Sequence, residues 1–244
     1  MSLFSILLLG FLLGMKHATE VDHLAAMATL AAGRQSLTQT LRQGAAWGVG
    51  HTLTLMLFGG IVLLLGKAVP KSMESALELA VGLMLIVLGL DLLRRMAKQK
   101  IHFHAHEHSP NVRHLHAHSH AVKMPKRTGF IRQAEHSHDH AHPLPLRALA
   151  VGMMHGMAGT AALILLSLGV VHSVTTGMLY ILIFGFGSMV GMALLSVVVS
   201  IPLRLSAGRL VWLYQGVTLA FGAFSFLLGV VMVYRIGFVE GLLV

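Results

Sequence analysis

The chain has 244 residues, 55% of them apolar or aromatic and only 11% charged, with a net charge of +9 and a mean hydropathy of +0.76. A soluble domain carries about 25% charged residues, so this composition excludes a water-exposed globule and points to a membrane protein. Cysteine is absent, which excludes a disulfide framework and thiolate metal ligands alike, and leaves 17 histidines against nine acidic residues to be placed.

In chain order, apolar runs bounded by turn residues and charges predict six transmembrane helices, over residues 3–31, 43–66, 75–93, 145–171, 176–201 and 209–235. The first is long and holds Lys16, His17, Glu20, Asp22 and His23 near its middle. Met1–Ile6 lacks the basic start of a cleaved signal, so the segment reads as a span. Fourteen Lys and Arg residues fall in the connections after the first, third and fifth spans, against Lys67, Lys71 and Arg235 on the other face. The positive-inside rule then puts both termini outside, in a multi-pass protein of the cytoplasmic (inner) membrane. The basic residues lie at membrane edges, so the net charge implies no nucleic-acid partner.

The two halves resemble each other. Gly14-Met15-Lys16-His17 returns as Gly152-Met153-Met154-His155, Trp47-Gly48-Val49-Gly50 as Phe184-Gly185-Phe186-Gly187, and Gly82 with Gly89 as Gly222 with Gly229, at offsets of 138, 137 and 140. Three spans per half is an odd number, so the repeats take opposite orientations, a hallmark of secondary transporters. Small residues that merely let helices pack closely would also give such glycines. The expected fold is an all-α membrane protein: residues 1–97 as the first three-helix repeat, 98–143 as a flexible cytoplasmic loop, and 144–244 as the inverted second repeat. A homo-oligomer is compatible with this architecture.

Ionisable side chains inside a span are costly and mark function by default. At 100° per residue, His17, Glu20 and His23 share a stripe with Lys16, whereas Asp22 falls on the other side. One straight helix cannot converge both histidines and Asp22 on one ion. Either the helix opens near Gly14–Asp22, or Asp22 accepts a hydrogen bond from an imidazole on a neighbouring span. The second span adds His51 and the fourth adds His155. Imidazole and carboxylate without thiolate suit Ni(II), Co(II) or Zn(II). An interhelical hydrogen-bond network and a metal-free proton relay are the competing readings of the same residues.

His17-Ala18-Thr19-Glu20-Val21-Asp22-His23 has the His-x4-Asp-His spacing that marks the nickel/cobalt transporter superfamily, and Gly50-His51-Thr52 resembles the Gly-His-[Ser/Thr] of its following span. The second half, from Gly152 to Gly159 and from Phe184 to Met192, resembles the six-span urease-accessory-like and nickel/cobalt-efflux branches. The resemblance implies that His17, Asp22, His23 and His51 are metal ligands or selectivity residues, with Glu20 and His155 as further candidates. It implies Ni(II) or Co(II) as transported substrate, no prosthetic group and no enzymatic activity.

Residues 98–143 hold 12 histidines, in three alternating blocks beginning at His102, His114 and His136. Alternation puts the imidazoles of a block on one side of an extended strand, where two or three can enclose a borderline metal. A solvated basic linker beside anionic lipid is the plainer reading. The expected function is a secondary transporter of divalent metal, with the loop and the efflux-branch resemblance favouring export. The alternative is a membrane accessory or metal-sensing protein that binds metal without transporting it.

Overall fold

The computed structural model describes residues 2–32, 37–65, 70–98, 102–107, 113–118, 145–158, 173–207 and 211–243. Two compact units are distinguished, Met1–Leu93 with Pro145–Val244, and Arg94–Leu144. The first unit is helical. Helix α1 (Leu3–His17) is followed after three residues by α2 (Val21–Ala31), then by α3 (Leu37–Leu65), α4 (Lys71–Lys98), α5 (Leu146–Ala158), α6 (Val174–Ala207) and α7 (Val211–Tyr234), which ends in a π-helical turn at Arg235–Val239.

The distribution of side chains is that of a protein solvated by lipid. Leu57, Leu64, Val87, Val198, Leu205, Leu227 and Val231 are exposed, while Thr29, Thr40, Gln43, Thr54, Ser188, Ser196 and Ser225 are buried. In hydrocarbon an apolar surface gains little by hiding, so association rests on close packing and interhelical hydrogen bonds. Ser188 Oγ donates to the Gly14 carbonyl at 3.1 Å, Thr52 Oγ1 to that of Gly185 at 3.0 Å and Ser225 Oγ to that of Leu85 at 3.1 Å. Four helices are long and apolar enough to cross a membrane, and the α1–α2 pair makes a fifth if its two bent segments count as one span. The chain is thus an integral multi-pass membrane protein. Of the expected fourth span only Leu146–Ala158 is described; residues 159–171 lie outside the described residues.

The first span opens near Gly14–Asp22, one of the two alternatives that the position of Asp22 offered. Residues 18–20 interrupt it and the two segments meet at 58°. Beyond the break, α2 runs through the middle of the unit with His23 and Ala25 to Ala31 buried. Its small side chains let α3, α6 and α7 close around it, and Gln43 Nε2 of α3 donates to the Leu30 carbonyl at 2.9 Å near its end.

Glycines set the closest approaches. A Cβ on Gly14 would overlap the Phe184 carbonyl of α6, and one on Gly152 the Trp47 carbonyl of α3; Gly50 lies against the Leu149 carbonyl and Gly187 against that of Phe11. Helices α4 and α7 meet where Gly82 faces Gly229 and Gly89 faces Gly222.

The second unit holds the histidine-rich stretch that the sequence sets at residues 98–143. Among its described residues are two short strands, β1 (His102–Glu107) and β2 (Arg113–His118), paired antiparallel with His102 opposite His118, His104 opposite His116 and His106 opposite His114. The period-two alternation is that of a strand. His108, His120, His136, His138, His140 and His142 lie outside the described residues.

Because the Gly14 and Gly152 seams are backbone-to-backbone, Gly14→Ala and Gly152→Ala should each lower the stability of the detergent-solubilised protein by at least about 1–3 kcal/mol. Gly216→Ala should not destabilise it, and helix propensity favours the alanine by about 0.5–1 kcal/mol, since nothing among the described residues lies within 4 Å of its added Cβ. Thermal unfolding of the three variants side by side measures this.

Candidate metal centre

The break in the first span builds the site. Helix α1 ends with the Ala18 N–H bonded to the Gly14 carbonyl, and the turn is stitched by Thr19 N–H and Thr19 Oγ1 to the Lys16 carbonyl, at 2.9 and 2.7 Å, and by Glu20 N–H to that of His17 at 3.0 Å. Several of the backbone groups freed by the interruption are thereby paired within the chain, which lowers the cost of a break inside a span. Helix α2 restarts with Glu20 extended at its N-cap and Asp22 in its first turn, where a carboxylate is favoured by the helix dipole and accepts the His23 N–H at 2.8 Å.

This rotation of α2 against α1 brings the two histidines together. The rings of His17 and His23 lie 4.6 Å apart between centroids, and His51 of α3 lies 5.2 Å from the first and 5.4 Å from the second. The candidate ligand atoms of these three residues all fall within 4.8 Å of one another. With metal–nitrogen bonds of about 2.0–2.1 Å, small side-chain movements close this set on one ion.

The hydrogen bonds favour such use. Glu20 Oε1 lies 2.8 Å from His17 Nδ1, and Asp22 Oδ1 lies 3.1 Å from His23 Nδ1. Each carboxylate favours the tautomer that carries its proton on Nδ1 and leaves Nε2 as a lone pair, the arrangement of a carboxylate–histidine–metal relay. His17 Nε2, His23 Nε2 and both nitrogens of His51 are buried without a hydrogen-bond partner. Buried imidazole nitrogens normally find partners, and among the described residues these four have none, which is an arrangement that a cation between the rings would satisfy.

Asp22 also reaches the second half of the chain. Its Oδ2 lies 3.3 Å from His155 Nε2 of α5, an electrostatic contact without hydrogen-bond alignment. Asp22, His23 and His155 form a second candidate ligand group that shares His23 with the first. Both alternatives for Asp22 are therefore realised: the helix opens, and the carboxylate faces an imidazole on a neighbouring helix. Lys16 is exposed, with no contact to Glu20 among the ion pairs described.

Trp47, not singled out as a site residue from the sequence, floors the cluster. Its ring stacks on His23 at 5.5 Å and 17° and meets His155 edge-on at 5.4 Å. The signal was present: Trp47 stands four residues before His51 on α3, so both share one helix face. On the other side a cavity of about 580 Å³ opens onto His17, Asp22, His23 and His155, lined as well by Glu74 and Glu78 of α4 and by Tyr180 and Phe184 of α6.

A nitrogen-rich buried cluster of this kind is what a borderline divalent metal requires, and comparison with known proteins agrees. Residues 3–243 match the family described as high-affinity nickel-transport protein, NicO. The chain belongs to the NicO family. Its similarity extends to the urease accessory protein UreH of Bacillus sp. (strain TB-90), 34% identical over 98% of this chain and 95% of that protein. A more distant relative is the chloroplast protein FOR GROWTH AND FERTILITY 1 of Arabidopsis thaliana, 25% identical over 75% of this chain and 46% of that protein. No solved structure matches. NicO is a family of metal-ion transport rather than of catalysis, and nickel is its transported substrate.

If the cluster holds nickel, the ion should stabilise the detergent-solubilised protein, by about 2.7 kcal/mol at a hundredfold excess over its Kd. His51→Ala should remove that gain. Acid should weaken it, because a protonated imidazole does not bind metal; thermal unfolding with and without nickel across pH measures both.

Proposed function

We propose that the protein is a secondary transporter that moves Ni(II), and Co(II) as the chemically nearest second substrate, through a site made by His17, His23 and His51. The observation that carries this reading is the set of buried, partnerless imidazole nitrogens gathered at a helix break. Glu20 and Asp22 orient two of the ligands, and Asp22 with His155 supplies an adjoining position for the ion. Nitrogen-rich coordination favours nickel and cobalt over magnesium and calcium, which take oxygen ligands.

The site sits between two inverted three-helix repeats, with the chain termini outside. The close contacts support this by occurring in reciprocal pairs. Gly14 against Phe184 mirrors Gly152 against Trp47, and Gly50 against Leu149 mirrors Gly187 against Phe11, at the offsets of the sequence repeat. Gly82 and Gly89 exchange places with Gly222 and Gly229 in the same way. The excess of basic residues after the first, third and fifth spans supports the orientation.

For direction we propose inward movement, in place of the export that the sequence favoured. A potential of about 100 mV, inside negative, drives a dication inward by roughly 4.6 kcal/mol, about three decades in concentration, so uptake needs no coupling ion. The histidine-rich connection then buffers arriving metal. The relative named as a urease accessory protein favours one other reading, a membrane protein that binds nickel without moving it.

Nickel flux into proteoliposomes separates the two. Wild-type protein should carry nickel, His17→Ala and His23→Ala should abolish flux while still inserting, and deletion of residues 102–142 should lower the rate without abolishing it. Undiminished flux in both point variants would overturn the site. Absence of flux in the wild type, with nickel still bound, would establish the accessory reading.

A further inference from the structure

The cavity beside the cluster carries more charge than its ligands account for. Four of the nine acidic residues of the chain line it, Glu20, Asp22, Glu74 and Glu78, against one lysine, Lys16. Glu74 and Glu78 stand four apart on α4, are both partly buried, and make no ion pair among those described. Arg235 and Glu240, which pair with each other at 3.0 Å, are the other charges that bear on Glu78. A carboxylate pair at the end of a span would suit the membrane interface, but these two turn toward an internal space.

The same cavity is lined by buried polar side chains that point to a ligand. His23 and His155 are each 2% exposed and line it, and among the described residues His23 Nε2 and His155 Nδ1 have no hydrogen-bond partner. Its place in the bundle is fixed by the packing. Gly10, Gly14 and Ala18 of α1 meet Tyr180, Phe184 and Gly191 of α6 in ascending order, so these helices run parallel, while α4 and α7 run antiparallel from Gly82–Gly229 to Gly89–Gly222. The lining residues come from the ends of α1 and α5, the start of α2, the first third of α4 and of α6, and the last third of α7. Among the described residues the cavity thus reaches from the histidine cluster toward the end of the bundle where α1, α4 and α6 begin and α7 ends, as a vestibule to the cluster.

We propose that Glu74 and Glu78 form the cation-collecting mouth of this vestibule, drawing a hydrated divalent metal from that side of the membrane to the histidine cluster. This deepens the transport reading and rests on it. Carboxylates focused by low-dielectric walls raise the local concentration of a dication and speed its arrival. Oxygen ligands of this kind hold a hydrated ion loosely, and the imidazoles deeper in are the groups that suit dehydrated nickel. Glu74 and Glu78 touch neither His17 nor His51, so they set how readily the ion arrives rather than how fast the loaded protein turns over.

The test is nickel uptake by proteoliposomes in which the α1-beginning face is outward, as reported by protease access to an N-terminal tag. At low ionic strength the double variant Glu74→Gln, Glu78→Gln should raise KM for nickel about tenfold with little change in maximal rate. The difference should shrink as salt is raised, since salt screens exposed charge, and Glu74→Asp, Glu78→Asp should restore the wild-type KM. An unchanged KM, or a KM defect equal at all salt concentrations, would overturn the proposal, as would a fall in maximal rate alone, which a purely structural role would give. His23→Ala, run in parallel with the glutamates intact, keeps the two readings apart: surviving flux there defeats the histidine site and leaves the mouth to be judged on its own salt dependence.

Discussion

The interruption of the first span at residues 18–20 is the feature on which the rest of the site depends. Backbone groups inside a membrane protein have no bulk water to turn to, and each one left unpaired costs several kcal/mol. Here the turn is closed by Thr19 and Glu20 onto the carbonyls of Lys16 and His17. These bonds lower the cost of the break, and the turn itself borders the cavity. It re-aims α2 by 58° and gives Asp22 a place in the first turn of a new helix. Without it, Asp22 would point away from the histidines, and His155 would lack its carboxylate neighbour.

Burial of α2 follows from the same geometry. A helix that starts in the middle of the bundle must be enclosed on all sides, and its run of alanines from Ala25 to Ala32, broken by Met27, Thr29 and Leu30, leaves room for that. Enclosure in turn needs the surrounding helices to approach at backbone distance. The glycine seams of α1 with α6 and of α3 with α5 provide this, and so carry His51 to within reach of His17 and His23, and His155 to within reach of Asp22 and His23. Side chains from four helices converge because small residues, rather than large apolar ones, occupy the contacts between them.

The sequence made much of this legible. Charge scarcity placed the protein in a membrane, the repeat offsets picked out the glycines that form the close contacts, and helical angles showed that Asp22 could not join His17 on a straight helix. What helical angles cannot say is how a chain resolves such a conflict, because a break and a partner on another helix answer it equally well, and the protein uses both. Glu74 and Glu78 escaped notice for a related reason. At the start of a span, charged residues normally face the headgroups, and only the cavity they share with residues of α1, α6 and α7 shows these two to line it. Trp47 was read as part of a repeat because its role depends on where His23 and His155 come to rest, which periodicity does not encode. The alternating histidines announced the strand period, although their pairing depends on a register that one strand alone does not specify.

For a metal ion held in the cluster, charge balance would favour carboxylates behind the imidazoles rather than in their place. Three neutral imidazoles around a dication would leave two positive charges in a region where charge is poorly solvated. Glu20 and Asp22, in contact with Nδ1 of His17 and His23, would offset those charges while leaving the other ring nitrogens to the ion. Both carboxylates also line the cavity, with 56% and 25% of their side chains exposed, so that neither depends on the ion alone for solvation.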